Sequence, residues 1–185
     1  MNATGRRWLS RLGVRLIAWT LAGTLMACAT PQQRPSINPW TTGRLSLRVG
    51  ASADKPSLGV NAAFELRGNG EEGELRLLSP LGTRVATATW AAGRATLYTA
   101  DGERAFNNLE DIAREALGEP LPLAALPDWL AGRPWPRQPF RSIANGFEQL
   151  GWQVSTHERA EGRVEATRES PPAVQLRVRL DLPGA

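Results

Sequence analysis

The sequence predicts a mainly β domain with a small helical insert. Apolar and polar residues alternate along several segments, which is typical of strands with one buried and one solvated face. Short glycine-rich connections separate these segments and favour antiparallel hairpins. One region carries apolar residues at helical spacing instead. We therefore expect about seven or eight strands, arranged as a sandwich or as a curved, barrel-like sheet.

The alternation is clearest in two segments, 57–67 and 173–182. The first carries five apolar residues on one face, Leu58, Val60, Ala62, Phe64 and Leu66. The second carries five in the same way, Val174, Leu176, Val178, Leu180 and Leu182. Segments 44–49 and 150–154 repeat the pattern over a shorter length. Each of the four is predicted to be a strand with one apolar face.

Residues 107–118 predict an amphipathic helix. The apolar residues at helical spacing are Leu109, Ile112, Ala116 and Leu117. Asn108 is suited to cap the amino terminus, and Gly118 is suited to end the helix in a left-handed conformation. Because predicted strands lie on both sides of it, this helix belongs to an insert between two runs of strands.

Two short helical turns are predicted after this helix. Pro122 and Pro127 each suit a first helical turn, where proline leaves no hydrogen bond unmade. The apolar surface of the two turns comes from Leu123, Leu126, Trp129 and Leu130. Together with the helix they form an insert at about 107–132 that lies across one mouth or face of the sheet. The insert either plugs a core or covers a cavity as a lid.

The amino-terminal region predicts a secretory signal followed by a lipid anchor. Four arginines precede an apolar run of about a dozen residues, which is shorter than the roughly 20 needed to span a bilayer. The run ends in LMAC at 25–28, which resembles the bacterial lipobox, in which the cysteine is acylated. We expect a signal peptide at 1–27, lipidation of Cys28, a polar tether at 28–39 and one folded domain at 40–185.

Charge and cysteine content exclude several classes of protein. Four of the 22 basic residues and none of the 18 acidic residues lie in 1–27, so the remainder is formally neutral. A basic nucleic-acid-binding surface is therefore not expected. Cys28 is the only cysteine, so no disulfide can form within one molecule. We expect a monomer that binds no nucleic acid.

The sequence offers no recognisable catalytic or cofactor site. GNGEEG at 68–73 matches the dinucleotide-binding fingerprint by letter, but Glu71 and Glu72 would repel phosphate, and a strand follows where a helix is needed. Lys55, the sole lysine, precedes a proline and belongs to no phosphate-binding loop. His157, the sole histidine, lies in a polar stretch and is expected to be exposed. We predict a protein that is not an enzyme and that has no metal or cofactor.

The sequence SPLGT at 79–83 places a leucine at the tip of a predicted hairpin. Pro80 and Gly82 suit a tight reversal of the chain, and strand-like segments flank them. Taken alone, the loop favours a Leu81 side chain that folds back over the end of the core. The alternative is that Leu81 contacts something apolar outside the protein.

Several motifs, in this order, resemble the LolB family of outer-membrane lipoprotein receptors. After the lipobox come W…GRLSLRV, GELRLLSPLGT, LGEPLPLAALPDWLAGRP and GFEQLGWQV. The most specific are SPLGT after a strand and the proline- and leucine-rich run after a short amphipathic helix. The similarity extends over nearly all of 40–182.

This resemblance implies an unclosed antiparallel β-barrel with a short helical lid over an apolar cavity. It also implies that acylated lipoproteins are accepted from the periplasmic carrier LolA and released into the inner leaflet of the outer membrane. The implied acyl-chain cavity and lid comprise Leu58, Val60, Phe64, Leu66, Leu123, Leu126, Trp129 and Leu130. The implied membrane-insertion loop comprises Pro80, Leu81 and Gly82, with Leu81 pointing outward. The protein would lie on the periplasmic face of the outer membrane, held there by the lipid on Cys28.

Two functions of other classes stay open from the residues. A lipid-anchored envelope scaffold would bind a protein partner through its sheet, without transfer of acyl chains. An envelope hydrolase would use a site that the sequence does not reveal. In either protein the apolar residues of the strands and the insert would form an ordinary core.

Overall fold

The computed structural model describes residues 39–182, which form one antiparallel sheet with a helical insert. The eleven strands within that range are β1 (Thr41–Val49), β2 (Leu58–Gly68), β3 (Gly73–Leu78), β4 (Arg84–Ala91), β5 (Arg94–Thr99), β6 (Gly102–Phe106), β7 (Phe140–Ile143), β8 (Gly146–Gln149), β9 (Trp152–Ser155), β10 (Arg163–Arg168) and β11 (Val174–Leu180). The helices are α1 (Leu109–Leu117) and α2 (Leu126–Leu130), with 3₁₀ turns at Leu123–Ala125 and Arg159–Glu161. The mainly β fold class with a small helical insert is confirmed.

Part of the predicted domain organisation lies outside the described residues. This applies to the signal peptide at 1–27, to Cys28, and to all of the tether at 28–39 except its last residue. Those assignments stay predictions. The first strand starts at Thr41, one residue after the predicted start of the domain.

The strands follow one another around the sheet in chain order, with a single exception. The order is β6-β5-β4-β3-β2-β1-β11-β10-β9-β8-β7, so β1 pairs with β11 and joins the two halves of the sequence. β6 and β7 are the two edges and do not pair with each other, so the barrel is unclosed. The insert is the chain between these two edge strands, and it packs on the apolar face of the sheet.

The alternation predicted for the two clearest strands is present in the structure. In β2, Ala62, Phe64 and Leu66 are buried. In β11 the buried residues are Val174, Leu176, Val178 and Leu180. All of these side chains except that of Ala62 join a hydrophobic core to which β1, β9 and the insert also contribute. The last strand ends at Leu180, before the predicted Leu182.

The expected number of strands was too low because four short ones escaped the sequence pattern. β6, β7, β8 and β10 carry at most two apolar side chains each, which is too few to show an apolar period. The strand predicted at 150–154 begins later, at Trp152. Leu150 and Gly151 have positive φ angles and form the turn between β8 and β9.

The helix α1 begins and ends where the sequence predicts. The side chain of Asn108 accepts a hydrogen bond from the backbone N–H of Asp111 at 2.9 Å. Gly118 ends the helix with a φ of 75°, and its N–H donates to the Arg114 carbonyl. The face that packs against the sheet carries Leu109, Ile112 and Ala113.

The GNGEEG segment is a hairpin turn between β2 and β3, as predicted. The Oδ1 atom of Asn69 accepts hydrogen bonds from the backbone N–H groups of Glu71 and Glu72, at 2.7 and 3.1 Å. The turn leads directly into β3. A strand therefore stands where a dinucleotide-binding loop requires the amino terminus of a helix.

A cluster of charges on the outer face holds the start of the domain. The guanidinium carbons of Arg67 and Arg76 lie 4.5 and 4.2 Å from the ring centre of Trp40. Glu74 bridges the two arginines, at 2.6 Å from Arg67 and 2.7 Å from Arg76. Burial alone would raise the pKa of the Glu74 carboxyl, but hydrogen bonds from Arg76 and Arg67 outweigh it and hold that pKa below its usual value.

We expect Glu74→Gln to lower the free energy of unfolding by about 1–2 kcal/mol at pH 7, because charge-assisted hydrogen bonds become neutral ones. Since the folded-state pKa is depressed, the carboxylate stabilises the fold above its unfolded pKa of about 4.3, and this contribution is lost as pH falls through the folded value. The difference between variant and wild type should therefore shrink below about pH 4.

Urea unfolding at several pH values measures this difference. Glu72→Gln is the matched control, because Glu72 is exposed and has no ion pair among residues 39–182. A gap between Glu74→Gln and wild type that stays the same at about pH 3 would contradict the ionic origin of the effect.

Candidate functional site

An apolar cavity of about 180 Å³ lies between the inner face of the sheet and the insert. The sheet side comes mainly from β1 to β5, and the opposite side comes from the segment that runs from α1 to α2. Among the described residues that line the cavity, Thr99 alone has a side chain that is not apolar. Such a lining suits hydrocarbon and offers almost no hydrogen bonds to a polar ligand.

The structure brings together seven of the eight residues predicted for the cavity and lid. These are Val60, Phe64, Leu66, Leu123, Leu126, Trp129 and Leu130. Leu58 is 37% exposed and lies outside the cavity, so its placement there was wrong. β3 pairs with β2 only from Ala63 onward, so the first residues of β2 extend past the end of β3. That the other seven hold acyl chains stays a prediction.

Sequence reasoning missed the parts of the cavity wall that come from β3, β4, β5 and α1. β3 contributes Leu75 and Leu77, and α1 contributes Ile112 and Ala113. The alternating leucines of GELRLL and the helical spacing in α1 carried a usable signal for these. β4 contributes small residues such as Ala86, which no hydropathy pattern singles out.

The lid consists of α1, the following 3₁₀ turn and α2, and α2 is anchored by aromatic packing. The 3₁₀ turn runs directly into α2, and Pro127 lies in the first turn of that helix, as predicted. Trp129 is 1% exposed, and its ring centre lies 6.4 Å from that of Phe147 and 6.1 Å from that of Trp152. This packing fixes the α2 end of the lid in the core, which also includes Leu109, Ile112 and Ala113 of α1.

Gln149 forms a buried hydrogen-bond junction beneath α2. Its Oε1 atom accepts from Trp129 Nε1–H and from the backbone N–H of Trp135, both at 2.9 Å. Its Nε2 atom donates to the carbonyls of Trp135 and Gln138, both at 2.8 Å. The amide group thus makes all four of its hydrogen bonds, although the residue is only 2% exposed. The junction ties α2 and the segment after it to β8.

Leu81 lies at the tip of the β3–β4 hairpin and is 93% exposed. The N–H of Ser79 donates to the Thr83 carbonyl at 2.8 Å, and the N–H of Gly82 donates to the Ser79 carbonyl at 2.9 Å. Gly82 has a φ of 80°, the left-handed conformation that closes three-residue hairpin loops. The expectation from the loop residues alone, that Leu81 folds back over the core, was therefore wrong. That Leu81 enters a membrane stays a prediction.

Comparison with known proteins places the chain in a family. The family model described as outer membrane lipoprotein LolB matches residues 40–182. The chain belongs to the LolB family. The outer-membrane lipoprotein LolB of Bordetella petrii is 34% identical to it over 155 residues, 76% of this chain and 77% of the relative. The LolB protein of Cupriavidus pinatubonensis is 32% identical over 183 residues, 95% of this chain and 83% of the relative.

The LolB assignment confirms the resemblance drawn from the sequence motifs. The matched range covers the whole sheet and the lid, and it includes the hairpin that carries Leu81. The relatives are named outer-membrane lipoproteins. A mainly β, unclosed antiparallel sheet with a helical lid is the fold implied for this family.

The single histidine of this LolB family member is exposed, as predicted. Ser155 Oγ lies 2.9 Å from His157 Nδ1, and Glu158 Oε1 lies 3.7 Å from His157 Nε2. In a serine-hydrolase triad the histidine faces the hydroxyl through Nε2 and the acid through Nδ1, so the order here is reversed. Glu158 is also hydrogen-bonded to Arg163, which holds the pKa of its carboxyl below the usual value.

Metal sites and membrane spans were sought within the described part of the chain. Across residues 39–182, no group of three or more histidine, cysteine, aspartate or glutamate side chains is arranged to hold a metal ion. No helix in the same range is long and apolar enough to cross a bilayer, and α1 has nine residues.

Proposed function

We propose that this protein accepts acylated lipoproteins from the periplasmic carrier LolA into its apolar cavity and releases them into the inner leaflet of the outer membrane. Its membership of the LolB family supports this, since the relatives are named outer-membrane lipoproteins. The observation that carries the proposal is the cavity of about 180 Å³ beneath the lid, lined almost entirely by hydrocarbon.

An acyl chain moves from a site that buries less of it to a site that buries more of it. Each buried CH₂ group contributes about 0.8 kcal/mol, so a chain leaves the carrier once this cavity buries more of it. The bilayer buries the whole chain and is the final acceptor. The chemistry requires no covalent step, so the proposed function needs no catalytic group.

The lid controls entry to the cavity. Leu123 and Leu126 are only half buried, and they lie between the cavity and the surface of the lid. An acyl chain enters when these side chains move aside and then replaces them as the apolar partner of the sheet. The lid side chains and the acyl chain therefore make the same type of apolar contact with the sheet. One can replace the other at little net cost in free energy, so the exchange is reversible.

Lipidation of Cys28 would hold the protein on the periplasmic face of the outer membrane. The tether at 28–39 has 12 residues and spans at most about 40 Å when extended. This reach lets the domain meet a carrier in the periplasm and return its hairpin loop to the bilayer. Burying Leu81 contributes only about 1.5–3 kcal/mol, less than an acyl chain, so Leu81 inserts cargo and does not anchor the protein.

Transfer from a loaded carrier tests the proposal. A soluble form with Cys28→Ala, lacking residues 1–27, is mixed with LolA that carries a radiolabelled lipoprotein. We expect the label to move to this protein, and then to phospholipid vesicles when these are added. If the label stays on the carrier in both experiments, the receptor function is wrong.

Binding of a fluorescent fatty acid separates the receptor from the scaffold alternative. The cavity of the receptor should bind the probe, and unlabelled fatty acid should displace it. A scaffold that holds a protein partner through its sheet has no reason to bind the probe. Loss of lipoprotein localisation in a His157→Ala strain, as severe as in a deletion strain, would favour the hydrolase instead.

A further inference from the structure

A row of arginines crosses the outer face of the sheet, level with the last residue of β3 before the β3–β4 loop. The register of the sheet puts Arg163 opposite Arg179, and Arg179 opposite Arg44, on β10, β11 and β1. The same row continues through Ala63 of β2 to Leu78, the last residue of β3 before the loop. All three arginines are exposed.

Two of these arginines have no counter-charge within the part of the chain that the structure describes. Arg163 is paired with Glu158 and Glu161. Arg44 and Arg179 form no ion pair with any residue of 39–182, although they lie directly opposite each other. Like charges in directly opposed positions destabilise a sheet. The pair is therefore not explained by the stability of the fold, and it points to an anionic ligand.

The two unpaired arginines face an open groove of about 780 Å³ on the outer surface. Its lining includes Arg44 and Arg179 from the sheet and Ser79, Pro80 and Gly82 from the hairpin loop. The two glutamates that also line the groove are each paired with an arginine. Positive charge therefore dominates the groove beside the loop.

We propose that Arg44 and Arg179 bind the phosphate groups of membrane phospholipids and hold the domain against the bilayer while Leu81 enters it. This assignment rests on the proposed function, in which the loop acts at the membrane. A guanidinium group donates paired hydrogen bonds to phosphate oxygens. Cross-strand neighbours have Cβ atoms about 5 Å apart, so the two groups reach one lipid surface together.

The residues beside the groove favour a membrane over a protein partner. Ser79, Pro80 and Gly82 of the loop line the groove together with Arg44 and Arg179, so the 93% exposed Leu81 lies next to these positive charges. A bilayer presents phosphate groups directly above hydrocarbon, within a headgroup region about 5–8 Å thick. A basic groove beside an exposed leucine matches both layers.

Vesicle binding without cargo or carrier tests the site. The mature chain with Cys28→Ala is mixed with vesicles of phosphatidylethanolamine that contain about a quarter phosphatidylglycerol, and bound protein is measured by flotation. We expect Arg44→Gln and Arg179→Gln each to weaken binding about fivefold, and the double variant about 25-fold, the loss that corresponds to about 1 kcal/mol per basic residue at an anionic surface.

Arg94→Gln is the matched control for each single variant, because it removes one charge from an exposed arginine that does not line the groove. It should bind these vesicles within about twofold of wild type: Arg94 lies opposite Ala91, at the end of β4 away from the loop, so seven residues of β4, about 23 Å, separate it from the loop end of that strand, more than a Debye length of about 8–10 Å. All of these variants should fold, and removal of Arg44 and Arg179 should leave the melting temperature equal or higher, because it relieves repulsion.

Three results would overturn the site. One is vesicle binding by the Arg44→Gln, Arg179→Gln variant that equals that of wild type. Another is saturable binding of inorganic phosphate in the absence of vesicles, which would assign the groove to a free ion. The third is normal vesicle binding with slowed uptake from the carrier, which would make the groove a contact for LolA. Because no cargo is present in the vesicle assay, its failure is distinct from failure of the transfer function.

Discussion

Replacing Leu81 with glutamate is expected to block delivery of lipoprotein to the membrane while acceptance from the carrier stays intact. A leucine that enters hydrocarbon contributes about 1.5–3 kcal/mol, so its loss should slow the membrane step about 10- to 100-fold. The side chain is 93% exposed and packs against no core. The free energy of unfolding should therefore change by no more than about 0.5 kcal/mol. Transfer of labelled lipoprotein from carrier to protein, and from protein to vesicles, measures the two steps separately.

Leu150→Glu is the matched control for this experiment. Leu150 is also an exposed leucine at a hairpin turn, 41% accessible, but it lies between β8 and β9. Its replacement should alter neither step, whereas Leu81→Phe should retain most of the delivery. If Leu81→Glu unfolds or fails to accept cargo, the leucine serves the fold or the carrier contact. Normal delivery by Leu81→Glu would show that the loop does not insert.

Replacing Trp129 with alanine is expected to give the largest loss of stability of any single change in the lid. The side chain is 1% exposed, it packs against two aromatic rings, and its Nε1–H donates to Gln149. Tryptophan-to-alanine changes in cores cost about 3–5 kcal/mol, a large share of the roughly 5–15 kcal/mol that holds a domain folded. Urea unfolding of the variant and wild type measures the difference.

Two further variants separate the parts of this effect. Trp129→Phe keeps most of the packing and removes one hydrogen bond to a buried amide, so we expect a loss of about 1–3 kcal/mol. Trp40→Ala removes a half-buried tryptophan from the outer face and should cost less than Trp129→Ala. If Trp129→Ala is as stable as wild type but binds no fatty acid, the residue belongs to the cargo site and not to the framework of the lid.

Features set by neighbouring residues were predictable from the sequence. The capping of α1 by Asn108 and its end at Gly118 follow from the chemistry of those two side chains. The faces of β2 and β11 follow from their alternation over 11 and seven residues. In each of these the signal lies within one element, and tertiary structure overrides it only at Leu58, at the start of β2.

Features set by the register of distant strands were not predictable. Leu58 fits the alternation of β2, yet it is exposed because β3 stops short of it. Arg44 and Arg179 are far apart in the sequence and become neighbours only through the pairing of β1 with β11. The outward direction of Leu81 depends on the hydrogen bonds that close its loop, which the residue types alone do not specify.

The position of the lid between the two edge strands has a mechanical consequence. Among the described residues, the backbone hydrogen bonds of its turns and caps are made within the lid itself. The lid opening proposed above therefore breaks no strand pairing of the sheet and is resisted by side-chain contacts alone. Gln149 and Trp129 pin α2, and Leu109, Ile112 and Ala113 bury α1 against the sheet, so the segment between the two helices is the part of the lid that opens first. Backbone hydrogen exchange should accordingly be faster at 119–125 than in α2. A lid of this kind opens and closes while the strand pairing of the barrel stays intact.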